Sequence, residues 1–124
     1  MNPIGDRLLD IIHNVDEWLD SDVAAVYQEQ PLAQDWARVT KVSEEAGEAV
    51  SALIALTGQN PRKGICGTLD ELLGELGDVT VTGIFAIQHF TKDEAETAAI
   101  FMAAMEKVAT RAANAGYGKP PKEE

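Results

Sequence analysis

Apolar residues recur every third or fourth position along most of the chain, the spacing of amphipathic helices and not of strands. Ile4, Leu8, Ile11, Val15 and Trp18 form the first stripe, which falters around Asp20-Ser21-Asp22. Pro31 is tolerated in a helix's first turn, where its missing N–H costs nothing. The second helix is therefore expected from Pro31 to Thr57, with Trp36, Val39, Val42, Ala46, Val50, Leu53 and Ile54 on its core side. Gly58 ends it, and GQNPRKGICG (58–67) is the one substantial loop. Thr68 followed by Glu71 has capping-box spacing and opens a third helix to about Phe90. Thr91 followed by Glu94 repeats the device, opening a fourth from about Lys92 to Ala115, closed by Gly116. No β alternation and no solenoid repeat interrupts the pattern. The expectation is an all-α four-helix bundle, one domain over 1–115 with a polar tail over 116–124.

From Val79 onward the third helix carries Val79, Val81, Ile84, Phe85, Ala86, Ile87 and Phe90, which cover most of its circumference. A helix apolar all round is buried all round, and four helices around one core do not easily achieve that. A homo-oligomeric interface is the expected remedy. Gly74, Gly77 and Gly83 inside this helix, and the alanine-rich fourth helix, suit close backbone approach.

Composition narrows the partners. The chain has 124 residues, 45% of them apolar, enough for a folded core. A net charge of −11 disfavours nucleic acid and anionic membrane surfaces. A small anion held through metal ions stays allowed, because the cation inverts the local sign. Cys66, the single cysteine, reads as a small loop residue and suits a reducing compartment. The first residues show no secretory pattern and no apolar run spans a bilayer, so the expected location is cytoplasmic.

Two pairs of acids stand out: Glu45 with Glu48, and Glu75 with Asp78. A three-residue step on a helix puts side chains next to each other, and like charges there are destabilising. On helical wheels both pairs border the apolar face, so two packed helices would aim them into one cleft, with a divalent cation to hold them there. Carboxylate oxygens suit Mg2+ or Mn2+; zinc would recruit His or Cys. A di-iron bundle would want repeated Glu-x-x-His motifs, and Asp10-x-x-His13 is the only near approach. His13 and His89 are expected to be surface or bundle residues. Lys41 lies between Glu45 and Glu48 on its wheel, while Glu44 points outward.

Glu44-Glu45-x-x-Glu48 followed by Glu75-x-x-Asp78 resembles the EExxE…ExxD signature of the MazG-like all-α nucleoside triphosphate pyrophosphohydrolases. The resemblance runs from about Trp36 through the Asn60–Gly64 loop into the fourth helix, roughly two thirds of the chain. Unlike the two-domain MazG proteins, this sequence carries one copy of the motif. The resemblance implies hydrolysis of (deoxy)nucleoside triphosphates at the α–β linkage, clearing unwanted nucleotides from the pool. Glu45, Glu48, Glu75 and Asp78 would hold Mg2+ or Mn2+, and one of Glu44, Glu45 and Glu48 would orient or deprotonate the attacking water. A homodimer or homotetramer would complete the bundle.

Cations would complete the phosphate clamp: Lys41 on the metal face, Arg62 and Lys63 in the loop, Lys107 and Arg111 one turn apart on the last helix. Trp36, with Trp18 as an alternative, is a candidate to stack a base, although core packing is the commoner fate of tryptophan. Two rivals remain open: a narrow dUTP or dCTP pyrophosphatase on the same helices, and a non-catalytic acidic bundle that binds a nucleotide or a protein.

Overall fold

Four helices account for most of the described residues, and the reasons lie in their ends. The computed structural model describes residues 3–27 and 29–119, with side chains for all of these except 22–27. They form α1 (Pro3–Tyr27), α2 (Pro31–Thr57), α3 (Leu69–Thr91) and α4 (Glu94–Asn114), with no strand among the described residues. Pro31 sits in the first turn of α2, and Gly58 ends that helix in the left-handed conformation (φ 70°) with its N–H donated to Ile54 O. A side chain at Gly58 would collide with Ile65, so glycine is required there twice over. At the start of α3, Thr68 Oγ1 accepts from the Glu71 N–H at 3.2 Å, as the Thr-x-x-Glu spacing predicts. The last residues of the expected polar tail, 120–124, lie outside the described residues.

Two boundaries differ from the sequence expectation. α1 continues through Asp20, Ser21 and Asp22, where its apolar stripe falters. Asp20 is not idle there: its carboxylate accepts from Gln34 Nε2, Arg38 Nη2 and Lys92 Nζ, so an apparent polar break is an anchoring point. The fourth helix is capped by Asp93, whose carboxylate accepts from the N–H groups of Ala95 and Glu96, and not by Thr91. Thr91 instead bonds Asp93 and the buried Thr97 hydroxyl, bracing the turn from inside.

α2 and α3 pack mainly on each other, while α4 packs on α3 and α1 alone. α1 crosses the other three at the α3–α4 turn. Here lies the best-buried part of the molecule: Ile12, Asp16, Gln88 and Thr97. Thr97 Oγ1 donates to Gln88 Oε1 at 2.6 Å, and Lys92 Nζ reaches Asp16 Oδ2 at 3.1 Å and Asp20 Oδ2 at 2.8 Å. Lys92 adopts a left-handed backbone (φ 55°), unfavourable for a non-glycine residue, and its two ion pairs hold it there. One turn before Asp16 on α1, His13 meets both Glu94 and Glu17; the hydrogen bond to Glu94, then the charge of Glu17, raises its pKa.

The apolar faces named from periodicity are real, but the chain does not cover them by itself. Among described apolar side chains only Ile12 and Ala49 are fully buried. On the expected core side of α2, Trp36, Val39, Val50 and Leu53 are all exposed, and Ala46 is too. Trp18 and Trp36 are both more than half exposed, so neither is the core residue that composition favours. On α3, Val81 and Phe90 are open while Ile84, Phe85 and Ile87 are partly covered. The chain exposes 9138 Å2. A compact monomer of 13.3 kDa exposes about 6,500 Å2. No helix is long and apolar enough to cross a membrane, among the described residues.

Candidate metal centre

The antiparallel pairing of α2 with α3 brings the two acid motifs face to face. Carboxylate oxygens of Glu45, Glu75 and Asp78 lie within 4.8 Å of one another. Glu45 comes from the middle of α2, Glu75 and Asp78 from adjacent turns of α3. Glu48 stays outside this trio, exposed at its rim. It is nonetheless close enough to be felt. The pKa of Glu75 is raised by desolvation first, then by the charges of Asp78, Glu48 and Glu45. Desolvation and the neighbouring carboxylates thus act on Glu75 in the same direction.

Lys41 is the only cation paired with the site among the described residues. Its Nζ lies 3.0 Å from Glu45 Oε1 and 3.2 Å from Glu44 Oε1. These bonds, Glu45 first, raise its pKa and keep it charged. One lysine against five acids leaves a strong negative excess. Glu44 is the outermost of the set, with its side chain 60% exposed against 15% for Glu45, in agreement with the helical wheel. Its contact with the site is through Lys41.

All-oxygen donors with no His or Cys among them match the preference of Mg2+ and Mn2+. A cation at the trio would offset the desolvation and the repulsion that together push Glu75 up. The glycines flanking the acids leave room: an added Cβ at Gly47, Gly74 or Gly77 would meet nothing within 4 Å. Within one chain these glycines do not mark close backbone packing, contrary to the expectation for Gly74, Gly77 and Gly83.

The remaining candidates divide by place. Arg62 and Lys63 are exposed in the 58–67 loop, where Asn60 Oδ1 accepts the Arg62 N–H and shapes the turn. Lys107 and Arg111 lie on the exposed length of α4, a helix that does not touch α2. None of these four makes an ion pair among the described residues, and none joins the trio. Trp36 borders a shallow hollow with Asp35, Val39 and Phe90, on a different side of α2 from Lys41. Trp18 fits better: it lines a cavity that Lys41 also lines.

Arg38, one turn before Lys41, belongs to no motif in the sequence. Its side chain is 11% exposed, held by Asp20 Oδ1 at 2.9 Å and lying 4.0 Å from Asp16. The available signal was the pair Asp16 and Asp20, one turn apart on α1, which calls for a cation on whatever packs against it. His89, expected to be a surface or bundle residue, is mostly buried and bonded through Nε2 to Asp35 at 2.7 Å. Comparison with family models, with curated proteins and with solved structures finds no match to this chain.

Proposed function

We propose that the protein is a divalent-metal-dependent nucleoside triphosphate pyrophosphohydrolase of the MazG-like kind, cytoplasmic and oligomeric. The observation that carries this reading is the convergence of Glu45, Glu75 and Asp78 within 4.8 Å, from two helices that pack along their length. Convergent acids with a single lysine against them repel one another, and a bound cation would relieve that. Glu45, Glu75 and Asp78 would hold Mg2+ or Mn2+, with Glu48 at the rim. Bound there, the cation supplies charge neutralisation for a polyphosphate and makes a water molecule more acidic.

The chain's own groups do the rest. Lys41, kept charged by Glu45 and Glu44, is the cation nearest to the phosphates. Glu48, exposed beside the trio, is the acid free to accept a proton from water. Water oxygen bonds to the α-phosphorus, the bridge to the β-phosphorus breaks, and pyrophosphate leaves with the monophosphate as second product.

A second copy belongs to the same proposal. The chain exposes roughly 2,700 Å2 more than a compact monomer of its mass. Buried by each of two copies, that excess totals about 5,400 Å2, at the top of the range for obligate interfaces, about 2,000–5,000 Å2 or more. The exposed arc of Trp36, Val39, Val50 and Leu53 on α2 and Leu73 and Leu76 on α3 is the surface for it. A partner copy is also the route by which Arg62, Lys63, Lys107 or Arg111 would reach an acid site.

Anion-exchange analysis of products from the eight common triphosphates with Mg2+ tests the reaction. Monophosphate and pyrophosphate are the expected products. Glu45→Ala and Asp78→Ala should each lower the rate at least 100-fold, beyond the roughly 10–100-fold typical for losing an outer partner of a ligand. Undiminished pyrophosphate release by both variants, or binding without any release, rejects the proposal; the latter outcome leaves the non-catalytic nucleotide-binding bundle.

A further inference from the structure

The open apolar surface of α2 and α3 follows a strict repeat. Along α2, Leu32, Trp36, Val39, Ala46, Val50 and Leu53, with Ser43 in the middle, succeed one another in alternating steps of four and three, and all are exposed. Along α3, Leu69, Leu73, Leu76, Ile87 and Phe90, with Thr80 and Gly83 in the middle, keep the same alternation, and only Gly83 and Ile87 are partly covered. A seven-residue repeat is the pattern of a seam between helices that wind round each other. Inside the chain the α2 seam goes unused: that helix buries Ala49 instead, roughly a quarter-turn away.

Charge says what kind of surface this is. A quarter of the chain is charged, yet neither seam holds a charged residue, as in the fully buried centre of an interface. The α2 seam runs nearly the length of a 27-residue helix, about 40 Å. The area exposed beyond that of a compact monomer, roughly 2,700 Å2 per chain, calls for a face of at least this extent. The four acids lie roughly 110–170° round their helices from the seams, so a cover on the seams leaves the acid centre open.

The two seams also share a centre. Asp35 is level with His89, to which it is bonded, and Glu45 is level with the turn from Glu75 to Asp78. Counting along from these, the middle of the α2 seam, between Ser43 and Ala46, falls within a turn of Thr80, the middle of the α3 seam. One two-fold axis across both midpoints therefore serves both helices. We infer that two copies pair about this axis, α2 antiparallel to the partner's α2 and α3 antiparallel to the partner's α3, so that two α2–α3 hairpins make one four-helix bundle. The inference takes the second copy from the proposed function and adds which helices meet and in what register.

The register matches sizes. On α2, Trp36 faces the partner's Leu53, Val39 the partner's Val50, and Ser43 the partner's Ala46. On α3, Leu76 faces the partner's Gly83, where within one chain an added Cβ would meet nothing within 4 Å. Trp36 and Phe90 border the same hollow, so they stand at one end of the hairpin. Laying α2 on the partner's α3 would crowd both copies of each ring into a single layer. The antiparallel pairing sets them against leucines at opposite ends, which suits close packing.

Disulfide trapping tests the register in a Cys66→Ser background, with oxidised glutathione as oxidant. Thr80→Cys should link to its own counterpart across the axis. Val39→Cys with Val50→Cys in one chain should also give a linked dimer, whereas Val39→Cys alone should not. In this register its two copies stand eleven residues apart, about 16 Å, beyond the roughly 7 Å that a disulfide spans. The same distance forbids a bridge within one helix. Ala46→Glu, exposed in a single chain, sets like charges across the axis and should raise the dimer dissociation constant at least about tenfold by sedimentation.

A wild-type protein that sediments as a monomer at micromolar concentration overturns the second copy and this pairing together. A dimer in which Thr80→Cys or the Val39→Cys/Val50→Cys variant stays unlinked overturns the pairing and leaves a second copy docked elsewhere. Linking by Val39→Cys alone overturns the register. None of these measurements reads turnover: if the links form and no triphosphate yields pyrophosphate, the reaction is wrong and the pairing stands.

Discussion

The two ends of the α3 helix solve opposite electrostatic problems. At its C-terminal turn, Lys92 and Arg38 meet Asp16 and Asp20, and Thr91, Thr97 and Gln88 satisfy one another in the most deeply buried part of the molecule. At its N-terminal half, Glu75 and Asp78 meet Glu45 with Glu48 nearby, and Lys41 is the single counter-charge among the described residues. The first region finds nearly all of its partners inside the chain, Arg38 Nη1 alone of its groups lacking a hydrogen bond among the described residues. The second has repulsion and open space, and on the function proposed above a cation from outside would finish it. That contrast separates fold from site more sharply than burial does, because polar residues build both regions.

Removing Asp16 should break the comparison at its strong end. Asp16→Ala leaves Arg38 and Lys92 without one of their partners, beside a carboxylate position that is 8% exposed. Breaking a fully buried pair costs about 3–5 kcal/mol, and with Lys92 half exposed and Asp20 left to both cations the loss should come near the lower end, about 3 kcal/mol. A urea titration should show it as a lower midpoint at unchanged slope. A loss below about 1 kcal/mol would mean that the cluster behaves like a solvated surface pair. Thr97→Val comes next in size. It removes the donor to Gln88 Oε1 in a site from which water is excluded, for about 1–3 kcal/mol in the same titration.

What could be read in advance follows from how local each signal is. Pro31, Gly58 and Thr68 act on their own turns, and the bounds of α2 and the start of α3 were legible from them. Thr91-x-x-Glu94 has equally good spacing, yet Asp93 takes the cap, because Lys92 turns left-handed to reach α1 and moves the helix start two residues on. That displacement is set by Asp16 and Asp20, more than seventy positions away, where no window of sequence registers it. Asp93→Ala should therefore cost about 1 kcal/mol by thermal or urea melting. The apolar arc of α2 was legible too, but periodicity says which face is apolar and not which molecule covers it. The acid trio could be read from two three-residue steps, whereas Arg38 could not, since its importance comes from α1.

The smallest expected effect lies at the acid end and has the opposite sign. Glu75→Gln removes one charge from a cluster that repels itself, so the metal-free protein should become slightly more stable, whereas most substitutions at the other end destabilise. The pH dependence fixes the cause. Glu75 binds its proton more tightly folded than unfolded, since its pKa lies above the usual 4.5. Where the folded state holds the extra proton, stability falls as pH rises through the window from that usual value to the raised one. Wild-type protein melted in a chelator at pH values from about 4 to 8 should show this decline, and Glu75→Gln should lose it. Mg2+ or Mn2+ should reverse it in wild type, because a cation favours the ionised carboxylate, and should do less for the variant. Identical pH profiles for the two proteins, with and without cation, would mean that these acids sit apart in water, and the distinction between a self-sufficient end and an unfinished one would be lost.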